Sequence, residues 1–308
     1  MGRYILTKLG QGVIVVLSVV VVVFILTRLV GDPVRVMLPL EATQEQRAQF
    51  EAQLGLDRPI GVQFVDYVTD VAVLDFGESL WQRRPVMEII VEKAPATLLL
   101  TLTAIGLAVA MAVPLGAVAA LRPEGVVDRI VVLISLIGLS IPQFWLGLLF
   151  IVFFALTLGW LPTSGSGTPA HMILPALTLA IPAMTRLVMV VRSTMIDELN
   201  AQYVRVLRAK GMRPWRVVAV HALKNSSVPI LTLAGWELIR ALSGYTVVVE
   251  SVFAWPGLGL TAIQAIERQD LILLQAIVFL TAIMVVVLNL MLDILSKAFD
   301  PRIDLRAA

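Results

Sequence analysis

Glu237 and Arg240 stand three positions apart inside an apolar run, Val228 to Val249. A rise of roughly 1.5 Å per residue from Pro229 puts both near the middle of a bilayer core about 30 Å thick, on one helix face. Charge at that depth is expensive, so water or protein must surround it. Two readings fit. With the nearby hydroxyl of Ser243 the pair lines a path for a solute carrying both charges, the carboxylate and guanidinium meeting its two ends. Alternatively it is an internal ion pair that fixes helix packing.

A second group of reactive types is the stretch YVRVLRAKGMRPWRVVAVHALKN, Tyr203 to Asn225, with seven basic residues, counting His221, and no acidic one. A positive-inside anchor needs only a few of these, and an anionic-lipid patch wants them on one face. A partner-docking helix mixes charge with apolar contacts. The spacing fits docking best. With 201–210 helical, Val204, Leu207 and Arg208 share a face near Gln202 and Arg205, and Gly211 is the C-terminal cap. Pro214 then starts a second amphipathic run, Trp215 to Leu223, so the segment reads as helix, turn, helix.

Other chemistry is missing. No GxxxxGK[ST] phosphate loop occurs, so the chain is not expected to bind or hydrolyse ATP. Its only two histidines, His171 and His221, fall in loops on opposite sides of the membrane. They cannot share a metal site, HExxH is absent, and neither lies beside a GxSxG elbow. No catalytic residue and no metal site are expected. With no cysteine there are no disulfides, thiolate ligands or thiol nucleophiles. A formal net charge of +2 gives no case for nucleic acid.

The elements that must carry these residues are apolar helices. The 308 residues are 58% hydrophobic and 15% charged, with a mean hydropathy of +0.90. Runs of about 20 apolar residues mark an integral membrane protein. The first, Leu9 to Val30, follows Arg3 and Lys8 but has no small-residue cleavage site, and is read as a retained helix. Further spans are expected over Pro95–Ala120, Ile130–Leu158, Met172–Val191, Val228–Val249 and Leu271–Leu292, of which Ile130–Leu158, the third of the six, is long enough to tilt or kink. Pro114, Pro142, Pro175 and Pro182 fall in or near them. Arg28 and Arg186, nearer the expected helix ends, are read as snorkelling to the interface.

The basic loop around Tyr203–Asn225 belongs in the cytoplasm, and six spans then put both termini there. Residues 31–94, 159–170 and 250–270 fall outside. The first outer segment leans acidic, with Asp57, Asp66, Asp70, Asp75 and Glu78. In it Thr43 and Gln46 fit a capping box opening a short surface helix over Gln44–Leu54. The segment Phe253–Gly259, followed by Asp270, reads as a tight turn at the mouth of the last span.

Tyr203–Gly211, His221–Asn225 and Pro229 resemble the cytoplasmic loop of the dipeptide and oligopeptide permease subunits of bacterial ABC importers. DFGESL (Asp75–Leu80), APATL (Ala94–Leu98), LSIPQFWLG (Leu139–Gly147), ILPALTLAIP (Ile173–Pro182) and ESVFAWPGLG (Glu250–Gly259) resemble the family in the same order. The resemblance implies an all-α membrane protein, a six-span helical bundle of the type I ABC importer permease kind with a long extracytoplasmic loop after the first span. It divides as 1–30, the first helix; 31–94, the outer loop; 95–292, the permease core with a coupling loop over 193–227; and 293–308, a cytoplasmic tail.

The implied partners are a second, homologous permease, two ATPase subunits that hold ATP and Mg, an extracytoplasmic binding protein and the bilayer of the bacterial inner membrane. No cofactor is expected in this chain. Carried over residue by residue, Tyr203, Arg205, Arg208, Ala209, Lys210 and Gly211 form a coupling helix seated on an ATPase. Glu250, Phe253, Trp255, Pro256, Gly257 and Asp270 form a gate or a binding-protein contact, or simply a turn.

The sequence departs from the family twice. Arg205, Val206 and Leu207 stand where importer permeases at large carry Glu-Ala-Ala, and Glu237 and Arg240 stand where peptide permeases usually have neutral residues. Short peptides are the expected cargo, with nickel, glutathione or haem as alternatives on the same architecture. A stand-alone channel or ion-coupled transporter is the rival of another class.

Overall fold

The computed structural model describes residues 2–30, 43–53 and 57–299. Among these the regular structure is helical, apart from one isolated bridge between Glu78 and Pro85. In chain order the helices are α1 (Gly2–Val30), α2 (Gln44–Gln53), α3 (Ile60–Ala72), α4 (Val86–Ala120), α5 (Val126–Ser140) and α6 (Gln143–Thr157). Then follow α7 (Pro169–Asn200), α8 (Gln202–Ala209), α9 (Pro214–Phe253), α10 (Leu258–Glu267) and α11 (Leu271–Phe299). Helices α1, α4, α7, α9 and α11 are long and apolar enough to cross a membrane. The pair α5 and α6, bent by 102°, makes a sixth span if counted as one.

That bend is the LSIPQFWLG motif. Ile141 is extended (φ −82°, ψ 123°) because the Pro142 ring excludes the helical conformation from the residue before it. Pro142 lacks an amide hydrogen and so ends one hydrogen-bond ladder and opens the next. The expected tilt or kink is therefore a sharp corner. The long helices also outrun their expected spans, α1 from Gly2 and α11 to Phe299 among them. α4 starts at Val86 rather than Pro95, α7 ends at Asn200 rather than Val191, and α9 runs 40 residues from Pro214. Charged outer turns of α4 lie beyond its apolar run, held by exposed pairs of Arg84 with Glu88 and Glu92. The stretch 250–270 is more than a turn, because α10 occupies ten of its residues.

Four helices end alike. In α3, α8, α9 and α10 the last turn closes by one bond spanning five residues and one spanning three. The cap residue in each is left-handed: Leu74, Gly211, Ala254 and Gln269, with φ between 47° and 74°. At the other polarity α2 opens with the expected capping box. The Gln46 amide donates to Thr43 Oγ1 at 3.2 Å, and the Thr43 amide donates to Gln46 Oε1 at 2.9 Å. Residues 31–42 and 54–56 of the outer loop and 300–308 of the tail lie outside the described residues, as does the Arg28 side chain.

By packing the chain forms two units. One comprises Met1–Pro95 and Gly257–Val287. Within it Val86, Ile89 and Ile90 of α4 pack with Leu258 and Ala265 of α10 and with Leu273 and Ile277 of α11. Val20, Val71 and Phe279 form a second small cluster, beside which Phe24 meets Phe64 edge to face. The other unit comprises Ala96–Pro256 and Leu288–Ala308.

Its core runs along α7, whose Leu179, Ala183 and Leu187 meet Leu100, Ala104 and Ala108 of α4 and Val249 and Phe253 of α9. Small residues let these helices close, as expected where lipid removes most of the hydrophobic drive between helices. A Cβ on Gly116 would lie 2.9 Å from the Val188 carbonyl oxygen, and one on Gly138 would lie 2.7 Å from Thr185. Large apolar side chains that no core claims, among them Val13, Ile14, Leu133, Ile134 and Phe153, are more than half exposed and need lipid or a partner subunit.

Candidate functional site

Helix α8 stands between two joints. Ala201, extended at φ −63° and ψ 152°, separates it from α7, and the Gly211 turn separates it from α9. Its apolar peg is Val204, fully buried where α8 packs on the end of α7 and on the first turns of α9. The other side is open. Arg205, Val206, Arg208, Ala209, Lys210 and Gly211 are all exposed, and so is Trp215, with the Arg216 guanidinium 5.4 Å from its ring centre. Arg208, one helical turn beyond Val204 on the same side, is exposed. The spacing predicted the helix and its glycine stop, and the bulky Val206 lies on the open face.

Tyr203 behaves differently from its neighbours. It is half-buried, and its hydroxyl donates to Glu198 Oε2 at 2.6 Å. Burial first, and then that bond, push its phenol up to about 12, so it remains a protonated donor at any physiological pH. The second amphipathic run, Trp215 to Leu223, is the start of α9 and continues into the membrane through a wide π turn over Val217–Ala222.

The charged cluster holds one residue more than expected. Glu237 is 1% exposed, and Arg186 of α7 grips it with two parallel bonds, Nε to Oε1 at 2.6 Å and a terminal nitrogen to Oε2 at 2.7 Å. Arg240 adds one long contact, 3.4 Å to Oε1, and its side chain is 51% exposed. Arg186 therefore does not snorkel. In the long α7 it lies mid-helix, where pairing with a carboxylate costs far less than an unpaired guanidinium among apolar groups.

The internal pair is formed, and both Glu237 oxygens are taken. Arg186 and Glu237 line a cavity of about 170 Å³ with Gln143, Tyr245 and apolar side chains of α4, α5, α7 and α9. Ser243 does not join them. It is exposed, and its hydroxyl donates to the Ile239 carbonyl at 2.8 Å. Beyond Arg240 the helix widens into a second π turn at Ala241–Tyr245.

A second buried pair escaped the sequence reading. Asp128, 3% exposed in the first turn of α5, receives two bonds from Arg192 of α7, and its Oδ2 also accepts from the Glu124 amide at 2.8 Å.

The outer residues divide between the two units. In one, Glu250 is fully buried and accepts from Thr97 Oγ1 at 2.6 Å. Trp255, also buried, donates from its indole to the Ala96 carbonyl at 3.0 Å. Phe253 is buried there in the core, and Pro256 is half-buried. In the other, buried Gly257 precedes α10. Asp270 caps α11 through the Leu273 amide at 3.1 Å while accepting from Ser79 Oγ at 2.5 Å and the Trp81 amide at 3.1 Å. Asp270 thus ties the DFGESL segment to the head of the last span. Arg268 lies over the Trp81 ring at 5.6 Å.

Residues 112–305 match the family described as binding-protein-dependent transport system inner membrane component, and residues 1–101 match its N-terminal companion. The oligopeptide transport system permease protein AppB of Bacillus subtilis is 36% identical over 99% of this chain and 100% of its own. The glutathione transport system permease protein GsiC of Salmonella typhi is 38% identical over 98% and 99%. The di/tripeptide transport system permease protein DppB of Pseudomonas aeruginosa is 36% identical over 98% and 99%. Among solved structures, an inward-facing form of the MetNI methionine ABC transporter shares the fold, with a TM-score of 0.57 and 21% identity over 69% of this chain and 97% of that one.

Proposed function

This chain belongs to the inner membrane components of binding-protein-dependent transport systems, and from that premise we propose that it is a permease subunit of an ATP-driven importer of short peptides. It forms half of the path, a second permease forms the other half, two ATPases supply the work, and an extracytoplasmic binding protein delivers the cargo. Both termini face the cytoplasm, on the side of the basic α8 segment. Peptide cargo is supported by the relatives, named for oligopeptides, di- and tripeptides and glutathione, itself a tripeptide.

The observation that carries this reading is α8 itself, a short helix pegged at Val204 with five basic or small residues of one motif turned outward. ATP-driven closure of the partner subunits has to move the membrane helices, and a seated helix between two spans is the lever for that. Arg240, beside a pair that is already neutral, carries the excess charge of the cluster and is assigned to the carboxylate end of the peptide. Transport proceeds by alternating access between outward and inward states.

The test is Gly211→Asp in the complete transporter. A Cβ there meets nothing within 4 Å in this chain, and an aspartate tolerates the left-handed backbone, so insertion should be unchanged. An acidic side chain on the docking face should lower uptake of radiolabelled trialanine by about tenfold or more, the equivalent of one lost charge-assisted contact. Normal uptake would refute the coupling role. Recovery of this chain alone from gently solubilised membranes, with the ATPases expressed, would favour the stand-alone transporter.

A further inference from the structure

The family motifs single out Tyr203 and Asn225 but leave unstated what either touches. Both reach the same atom. Tyr203 donates its hydroxyl to Glu198 Oε2 at 2.6 Å, and the Asn225 side-chain amide donates to that oxygen at 3.0 Å. Glu198 is in the last turn of α7, Tyr203 in the first turn of α8, and Asn225 about three turns into α9, 27 residues from Glu198. One carboxylate therefore joins the coupling helix to both spans that flank it.

The mechanical consequence follows from the joints. A lever moves two spans together only if it is stiff where it meets each of them. The covalent joints here are the extended Ala201 and the turn around Gly211, both able to swing about backbone dihedrals. Val204 resists separation of α8 from its bed, but an apolar peg has no directionality and resists rotation poorly. Two hydrogen bonds to one carboxylate oxygen, at 2.6 and 3.0 Å, are directional and fix the angle of α8 to both spans. The Tyr203 phenol, pushed up to about 12, keeps its proton as the donor of this bond.

We propose that Glu198 is the positioning residue that makes α8 a rigid lever, so that displacement of the coupling helix is transmitted to α7 and α9 together rather than taken up by its joints. The inference rests on the assignment of α8 as the coupling helix, and the Gly211→Asp test decides that assignment separately. Loss of coupling in Gly211→Asp with none in Glu198→Ala would reject the clasp and keep the lever.

The experiment uses the complete transporter in liposomes, with trialanine uptake and ATP hydrolysis measured on the same sample. Glu198→Ala should leave the ATPases copurifying and hydrolysis within about twofold of the parent, while uptake per ATP falls by about tenfold or more, the loss of two hydrogen bonds to one carboxylate. Glu198→Gln keeps an oxygen that can accept both bonds, and should restore most of the ratio. Tyr203→Phe should lower the ratio alone but add nothing on top of Glu198→Ala, which has already removed the Tyr203 contact along with that of Asn225. An unchanged ratio in Glu198→Ala, additive losses in the double variant, or loss of the ATPases from both Glu198 variants would each overturn the proposal.

Discussion

Replacing the two ends of the Arg186–Glu237 pair separately and together gives a sharp test of the cluster. Glu237 is 1% exposed and accepts two bonds of 2.6 and 2.7 Å from a guanidinium that is itself 26% exposed. Removing one partner of such a pair leaves a buried charge uncompensated, which costs about 3–5 kcal/mol, whereas replacing both with apolar side chains is close to neutral. The Arg240 contact changes this little. At 3.4 Å, with a half-exposed donor, it is worth no more than about 1 kcal/mol.

Arg186→Met and Glu237→Leu should therefore each destabilise the chain by about 3–5 kcal/mol, and the double variant by about 1 kcal/mol or less. The coupling energy then exceeds about 5 kcal/mol, well above the ceiling of about 1.7 kcal/mol measured for hydrogen bonds between membrane helices. Equilibrium unfolding of the purified chain in mixed micelles of rising dodecyl sulfate content, followed by tryptophan fluorescence, reads all four states of the cycle. Additive single losses would mean that the two charges are separated by water, and would refute the pairing on which the assignment of Arg240 depends.

If Arg240 meets the peptide carboxylate, Arg240→Gln should raise the KM for trialanine by about tenfold and leave that for its C-terminal amide unchanged, read by competitive uptake. Equal effects on both peptides would reject the assignment. Gly116→Ala should destabilise the fold by about 1–3 kcal/mol, because the new methyl would sit 2.9 Å from a backbone carbonyl that cannot turn aside. Gly106→Ala, on the same helix but in open space, should be neutral or stabilise by up to about 1 kcal/mol, and the same unfolding assay compares the two.

What the sequence disclosed was what local chemistry encodes. Thr43 and Gln46 announce α2 because a capping box is made within four residues. Gly211 announces the end of α8 because glycine takes the left-handed turn freely. Leu74, Ala254 and Gln269 occupy the same turn without that signal, their strain carried by the bonds the turn makes and by the packing around it. The pairs were hidden for another reason. Arg186 meets Glu237 from 51 positions away and Arg192 meets Asp128 from 64, and no periodicity connects positions on different helices. Arg186 reads as a helix-end residue because the apolar run around it ends at Val191, while the helix continues to Asn200. A guanidinium placed near the end of a run is mid-helix in the element that forms.

Three polar ties leave α7 at intervals of six residues: Arg186 to α9, Arg192 to α5, and Glu198 to α8 and α9. Six residues turn an α-helix by about 600°, so each tie points about 120° from the one before, and the three leave in three directions. A helix held that way cannot rotate or slide without breaking a charge-assisted contact to some neighbour. Push on α8, and the stiff response is for α5, α7 and α9 to move as a body. The compliant places are elsewhere, at the Ile141–Pro142 corner and at the two π turns of α9, where the ladder of hydrogen bonds is already loosened. The second of those turns begins at the residue after Arg240. A bend there would shift Arg240 relative to α7 while Glu237 stays gripped by Arg186 and, if Arg240 meets the peptide as proposed, would change how its charge is presented between one state and the next.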